Sequence, residues 1–118
     1  MTIVDTSVWI DHLRSGNDKL KELLTSDSVF THPFVVGELA CGGLKNRAQI
    51  LTDLNRLPLA MAANHDDVLR LIDRQRLSGK GIGWVDAHLL AAALISKCSF
   101  WTLDKSLARV ASALGITA

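Results

Sequence analysis

Apolar residues fall into short runs and longer helical stripes that alternate along the chain. Ile3-Val4 reads as a short buried strand. From Ser7 to Arg14, Val8, Trp9, Ile10 and Leu13 form a wide apolar stripe at helical spacing. Asp18 to Thr25 predicts a second amphipathic helix with Leu20, Leu23 and Leu24 inward. Ser28-Val29-Phe30-Thr31 has strand character. Pro33 suits the first turn of a helix that stops at Gly42-Gly43. Asn46 to Arg56 is helical, and Leu57 to Met61 has strand character weakened by Pro58. Asn64 to Leu77 is a charged amphipathic helix, and Lys80 to Gly83 a loop. Val85 to Ser96 is apolar on nearly every side, which predicts a buried helix. Ser99 to Leu103 is a strand, Lys105 to Leu114 a helix closed by Gly115, and Ile116 starts a last short strand. Strands alternating with helices predict a parallel sheet with helices on both faces. Ligands of such folds bind outside the carboxyl ends of the strands.

Composition narrows this picture. The chain has 118 residues, 48% of them hydrophobic, so it is expected to form one domain over residues 1–118 with a sizeable core. A formal net charge of +1 gives no global field to attract nucleic acid, so any such contact needs local basic patches. Cys41 and Cys98 form no C-x-x-C pair and read as two small buried thiols in a reducing compartment. The start, Met1-Thr2-Ile3-Val4-Asp5, lacks the features of a signal peptide, and the run Leu89 to Ile95 is too short to cross a bilayer. A cytoplasmic location is therefore expected.

Against this pattern, four acidic residues stand in apolar surroundings. Asp5 follows Ile3-Val4, Glu38 lies in Phe34-Val35-Val36-Gly37-Glu38-Leu39-Ala40, Asp86 opens an apolar helix, and Asp104 ends Phe100-Trp101-Thr102-Leu103-Asp104. A carboxylate drawn toward a core needs a compensating partner. Four of them, spread over the chain, point to one shared compensator, a hard divalent cation such as Mg²⁺ or Mn²⁺. Without the cation, clustered carboxylates repel, and at least one pKa is expected to rise. Asp5 and Asp104 would meet if the first strand and Ser99–Leu103 are neighbours. Ser7 and Thr102 add hydroxyls suited to orienting a carboxylate or water. Arg14 is a candidate contact for a substrate phosphate, although charge at a helix C-terminus explains it equally well.

Each residue also has a plainer role. Asp86 and Asp104 each have a capping reading as good as the functional one. Ser7 itself suits the start of the first helix. Glu38 falls inside its helix, where an ion pair is the alternative. Arg70, Arg74, Arg76 and Lys80 read as a solvated helix face, with Lys45 and Arg47 elsewhere. Trp9, Trp84 and Trp101 fit core or interface roles better than base stacking. His12, His32, His65 and His88 lack zinc-site spacing and read as surface or interfacial histidines.

At Val4-Asp5-Thr6-Ser7-Val8-Trp9-Ile10-Asp11-His12-Leu13-Arg14, then Glu38, then Gly83-Trp84-Val85-Asp86-Ala87-His88-Leu89-Leu90-Ala91-Ala92-Ala93, then Trp101-Thr102-Leu103-Asp104, the chain resembles the PIN-domain ribonucleases. More narrowly it resembles the VapC-type toxins of bacterial type II toxin–antitoxin pairs. The resemblance implies a three-layer α/β/α sandwich around a short parallel sheet. It implies Mg²⁺- or Mn²⁺-dependent endoribonuclease activity, with RNA hydrolysed by a metal-activated water. It implies a VapB-like antitoxin that covers the site, and a homodimer. Asp5, Glu38, Asp86 and Asp104 would be the catalytic, metal-holding acids, and Thr102 the hydroxyl before the last of them. Two features depart from the pattern: Leu107 stands where many relatives carry an aromatic residue, and the tail after Gly115 is short.

Other classes are weighed against this one. A haloacid-dehalogenase-like phosphatase needs a second Asp two positions after Asp5, where Ser7 stands. A receiver domain needs an acidic pair near the first strand and a phosphoacceptor on another strand, and Asp53 falls on a predicted helix. A catalytically silent PIN-like binding module remains the non-enzymatic alternative, distinguished by metal binding without turnover.

Overall fold

A computed structural model describes all residues, Met1–Ala118. Three parallel strands form its sheet: β1 (Thr2–Val4), β2 (Val29–Phe30) and β3 (Ser99–Trp101), in the order β2-β1-β3. Ile3 pairs with Phe30 on one side and with Phe100 on the other. Consecutive residues of a strand point to opposite faces, yet Thr2, Ile3 and Val4 are all buried. Both faces of β1 are thus covered, as parallel sheets require. Seven helices do the covering: α1 (Thr6–Ser15), α2 (Asp18–Thr25), α3 (Pro33–Cys41), α4 (Arg47–Leu54), α5 (His65–Arg74), α6 (Trp84–Ser96) and α7 (Lys105–Ala113). α6 packs on β1 and β3 and carries α5 on its other side, while α3 bridges α1 and α4. The result is the expected α/β/α arrangement.

The expected outer strands shrink to single bridges. Pro58 and its neighbours reach Thr31 through one bridge at Leu59, and Thr117 reaches Phe100 through another. Proline has no N–H to give to a ladder, so Leu57–Met61 serves only as an edge, with Leu59 and Met61 exposed. The α6 stripe, by contrast, is buried as its sequence predicts, from Ala87 through Ala93. Three helices end where the chain turns left-handed without glycine; α2 and α6 stop at Thr25 and Ser96 as expected, and only α5 of the three stops early. Asp27, Arg76 and Lys97 have positive φ, and the next N–H returns to a carbonyl of the last helical turn, as from Leu77 to Ile72. This closure stops α5 at Arg74, short of Leu77.

Two of the four histidines depart from the surface or interfacial role expected of them, while His65 is exposed and His12 half-buried. His32 is 1% exposed and His88 is buried. The His32 Nδ1 accepts the Phe34 N–H at 3.0 Å and so caps α3 beside Pro33. Its proton must then sit on Nε2, which is buried with no partner. Burial, and secondarily the nearby His88, lower the His32 pKa to about 4. A lowered pKa means the unfolded chain binds the proton first. Stability is therefore expected to fall as pH drops from about 6.5 to 4, by up to ~3 kcal/mol. Urea midpoints at pH 7 and 4.5 check this. His32→Asn keeps a capping side chain that does not titrate, and its loss over that interval should be clearly smaller. An equal loss in both proteins would assign the acid sensitivity to other groups. The cysteines also differ from expectation: Cys41 is exposed and Cys98 only half-buried.

Candidate active site

The β1–β3 pairing makes the meeting that the acidic positions require. Beyond β1, the Asp5 N–H donates to the Trp101 carbonyl at 2.9 Å, which brings Asp5 alongside Thr102. The Asp5 residue is 6% exposed. Its Oδ2 accepts from Ser7 Oγ at 2.7 Å and from Thr102 Oγ1 at 2.8 Å. Each hydroxyl in turn accepts a backbone N–H, Ser7 from Leu103 and Thr102 from Asp104, both at 3.0 Å. Those N–H groups occupy acceptor positions on the hydroxyls, so both O–H groups are free to point at Asp5. Oδ1 has no protein partner and is not sealed from solvent. Ser7 is therefore not the helix cap that its type suggested: Asp5 takes the cap position, and Ser7 lies in the first turn.

Only Asp5 of the four acids is buried. Asp86 is half-buried, and Glu38 and Asp104 are exposed. The apolar neighbours of Glu38 pack inward from the other side of α3, which leaves its carboxylate outside. Each remaining acid accepts one hydrogen bond. Glu38 Oε1 accepts from Thr6 Oγ1 at 2.9 Å. Asp86 Oδ2 accepts the Gly83 N–H at 2.9 Å, closing the start of α6. Asp104 Oδ1 accepts the Leu107 N–H at 2.9 Å as the cap of α7. The capping reading and the site reading thus coexist for Asp86 and Asp104. Thr6 was not anticipated, although the hydroxyl pair Thr6-Ser7 after Asp5 carried the signal. One hydroxyl serves Glu38 and the other serves Asp5.

Electrostatics tie three of these acids together. Burial raises the Asp86 pKa above its ordinary value, the Gly83 N–H pulls it back, and the charges of Asp5 and Asp104 push it up further. Desolvation thus leads the shift, and the repulsion expected between the acids adds to it. No lysine or arginine neutralises the four acids. The ion pairs are Asp53–Arg56 and Asp67–Arg70, both on exposed surface. No three Asp, Glu, His or Cys side chains stand close enough together to hold a metal ion between them. Each acid nevertheless accepts hydrogen bonds on one oxygen and leaves the other free: Asp5 Oδ1, Glu38 Oε2, Asp86 Oδ1 and Asp104 Oδ2. Free hard oxygens without a basic partner fit a cation that keeps much of its own water.

The sequence comparisons decide the lineage. The PIN domain family model matches residues 2–113. The chain belongs to the PIN domain family. Ribonuclease VapC32 of Mycobacterium tuberculosis, in strains CDC 1551 / Oshkosh and ATCC 25618 / H37Rv, is 45% identical over 117 residues. The match covers 98% of this chain and 94% of each relative. All four acids of this PIN domain lie inside the matched span. Of its tryptophans, Trp9 is buried in the core and Trp101 carries Lys19 Nζ at 4.4 Å from its ring centroid. Trp84 is exposed and packs with His88 and His65, the first at 4.6 Å between centroids. No helix of this PIN domain is long and apolar enough to cross a membrane.

Proposed function

We propose that the chain is the toxin of a VapC-type toxin–antitoxin pair and cuts RNA endonucleolytically at the Asp5 edge of the sheet. One observation carries this reading: four carboxylates with a free oxygen each, and no basic partner, lie around the paired ends of β1 and β3. The 45% identity to Ribonuclease VapC32 over nearly the whole chain supports it. Asp5, Glu38, Asp86 and Asp104 are the proposed metal-holding and catalytic residues. Bound Mg²⁺ or Mn²⁺ supplies activation of water and neutralisation of phosphoryl oxygens. Ser7 and Thr102 hold the Asp5 carboxylate in one orientation, so Oδ1 meets its target without rotamer loss. Thr6 does the same for Glu38. A cation nearby would offset the burial and the like charges of Asp5 and Asp104 that raise the Asp86 pKa.

A separate VapB-like chain is the proposed antitoxin, covering the acids. A second copy of the chain is the proposed partner on the α6 stripe that exposes Trp84 and Ile95, with Phe34 alongside.

Cleavage of mixed single-stranded and hairpin RNA oligonucleotides tests the reading, with Mg²⁺, with Mn²⁺ and with chelator. Cutting that requires the metal is expected. Metal binding without cutting of any RNA would favour the silent binding module. The ion is also expected to raise the melting temperature at millimolar concentration. Binding the folded state at 100 times its Kd adds about 2.7 kcal/mol. Thermal melts against metal concentration measure this, and a flat response would count against a shared metal site.

A further inference from the structure

A cavity of about 440 Å³ opens beside Glu38, between α1, the end of α3 and α4. Its size lies within the ~300–1,000 Å³ range of small-ligand sites. Ile10, Leu39 and Ile50 give it an apolar floor, and Arg14 and Lys45 stand on its rim. Both cations are exposed and neither takes part in an ion pair. Arg47, close in sequence, is committed elsewhere: its Nε donates to the Ala40 carbonyl at 2.9 Å. With a net charge of only +1, the chain must attract a polyanion through local cations such as these.

Resting on the ribonuclease reading above, we infer that this cavity is a nucleotide subsite. It seats one unpaired base of the RNA on the apolar floor. Arg14 and Lys45 hold the phosphates on either side of that nucleotide, which leads the strand past Glu38 to the other acids. The pairing of an apolar floor with two free cations matches a nucleotide, which is apolar on its ring faces and charged at its linkages. A base held there could not remain stacked in a duplex, so the subsite selects single-stranded or looped RNA.

Gly43 gives a clean way to fill the cavity. It lines the wall, a Cβ built on it meets nothing within 4 Å, and its φ is not in the left-handed region. Gly43→Phe therefore adds a ring without backbone strain. The probe is a 5′-fluorescein single-stranded RNA octamer of randomised sequence, and binding is read by anisotropy in an Asp5→Asn background. Arg14→Ala/Lys45→Ala is expected to weaken binding ~10-fold or more. Its salt slope should fall by about 1.4, at ~0.7 per single-strand phosphate contact. Gly43→Phe should weaken binding with an unchanged melting temperature, and both changes should slow cleavage when Asp5 is intact. If both variants bind and cut like the unsubstituted chain, the subsite is wrong while the nuclease stands. If the unsubstituted chain neither binds nor cuts the octamer or the mixed oligonucleotides, the ribonuclease reading fails and the subsite falls with it.

Discussion

Asp5→Asn is expected to reduce metal-dependent RNA cleavage by at least ~10²–10³-fold, the loss typical of deleting one preorganised electrostatic group. The fold should survive, because asparagine is close to isosteric with aspartate. Its side-chain oxygen can still accept from Ser7 and Thr102, where the Asp5 Oδ2 now accepts at 2.7 and 2.8 Å. The amide nitrogen then occupies the position of Oδ1 and offers hydrogens where a cation needs a lone pair. Two further readouts separate lost chemistry from lost structure. The metal-induced rise in melting temperature should vanish. The Asp86 pKa should move down, since the Asp5 charge is one of the causes that raise it. Thermal melts with and without Mn²⁺, and carboxyl titration followed by NMR, measure both. Near-normal cleavage in Asp5→Asn would sink the proposed role of the quartet.

Phe100→Ala is expected to destabilise the chain by about 3–5 kcal/mol, the usual cost of emptying a buried phenylalanine site. Phe100 is 1% exposed and is the largest of the fully buried side chains. It pairs with Ile3 in the sheet, and its N–H donates to the Ile116 carbonyl at 2.7 Å. A domain of this size has only ~5–15 kcal/mol of stability in total, so the variant should be partly unfolded under mild denaturant. The activity loss should follow the unfolded fraction, because β3 also delivers Thr102 to Asp5. Urea unfolding by circular dichroism checks the magnitude. A midpoint shift equivalent to less than ~1 kcal/mol would mean that the neighbours close over the space.

Much of the architecture was legible because it depends on local patterning. The α6 stripe announced a buried helix, and Pro33 announced the start of α3. The end of α5 was less legible, because Arg76 takes the left-handed turn that glycine usually marks. The strand at Leu57–Met61 was overstated because β propensity says nothing about which neighbour offers a ladder. The burial of His32 and His88 left no trace in sequence spacing, because it arises from α3 packing near α6.

For the candidate site, the chain alone singled out the residues proposed to carry chemistry: Asp5, Glu38, Asp86 and Asp104 with the hydroxyls of Ser7 and Thr102. Residue type and apolar context, on which that choice rests, are local properties. The tertiary structure alone decided how those groups stand. It made Asp5 the single buried acid, set Glu38 and Asp104 at the surface, and gave Thr6 to Glu38. It also set Arg14 and Lys45 on the rim of one cavity, although 31 positions separate them. These are long-range distances fixed by the parallel pairing of β1 with β3 and the crossing of α3 over α1. No periodicity in the sequence encodes them, because they depend on which elements pack together and not on how each one forms.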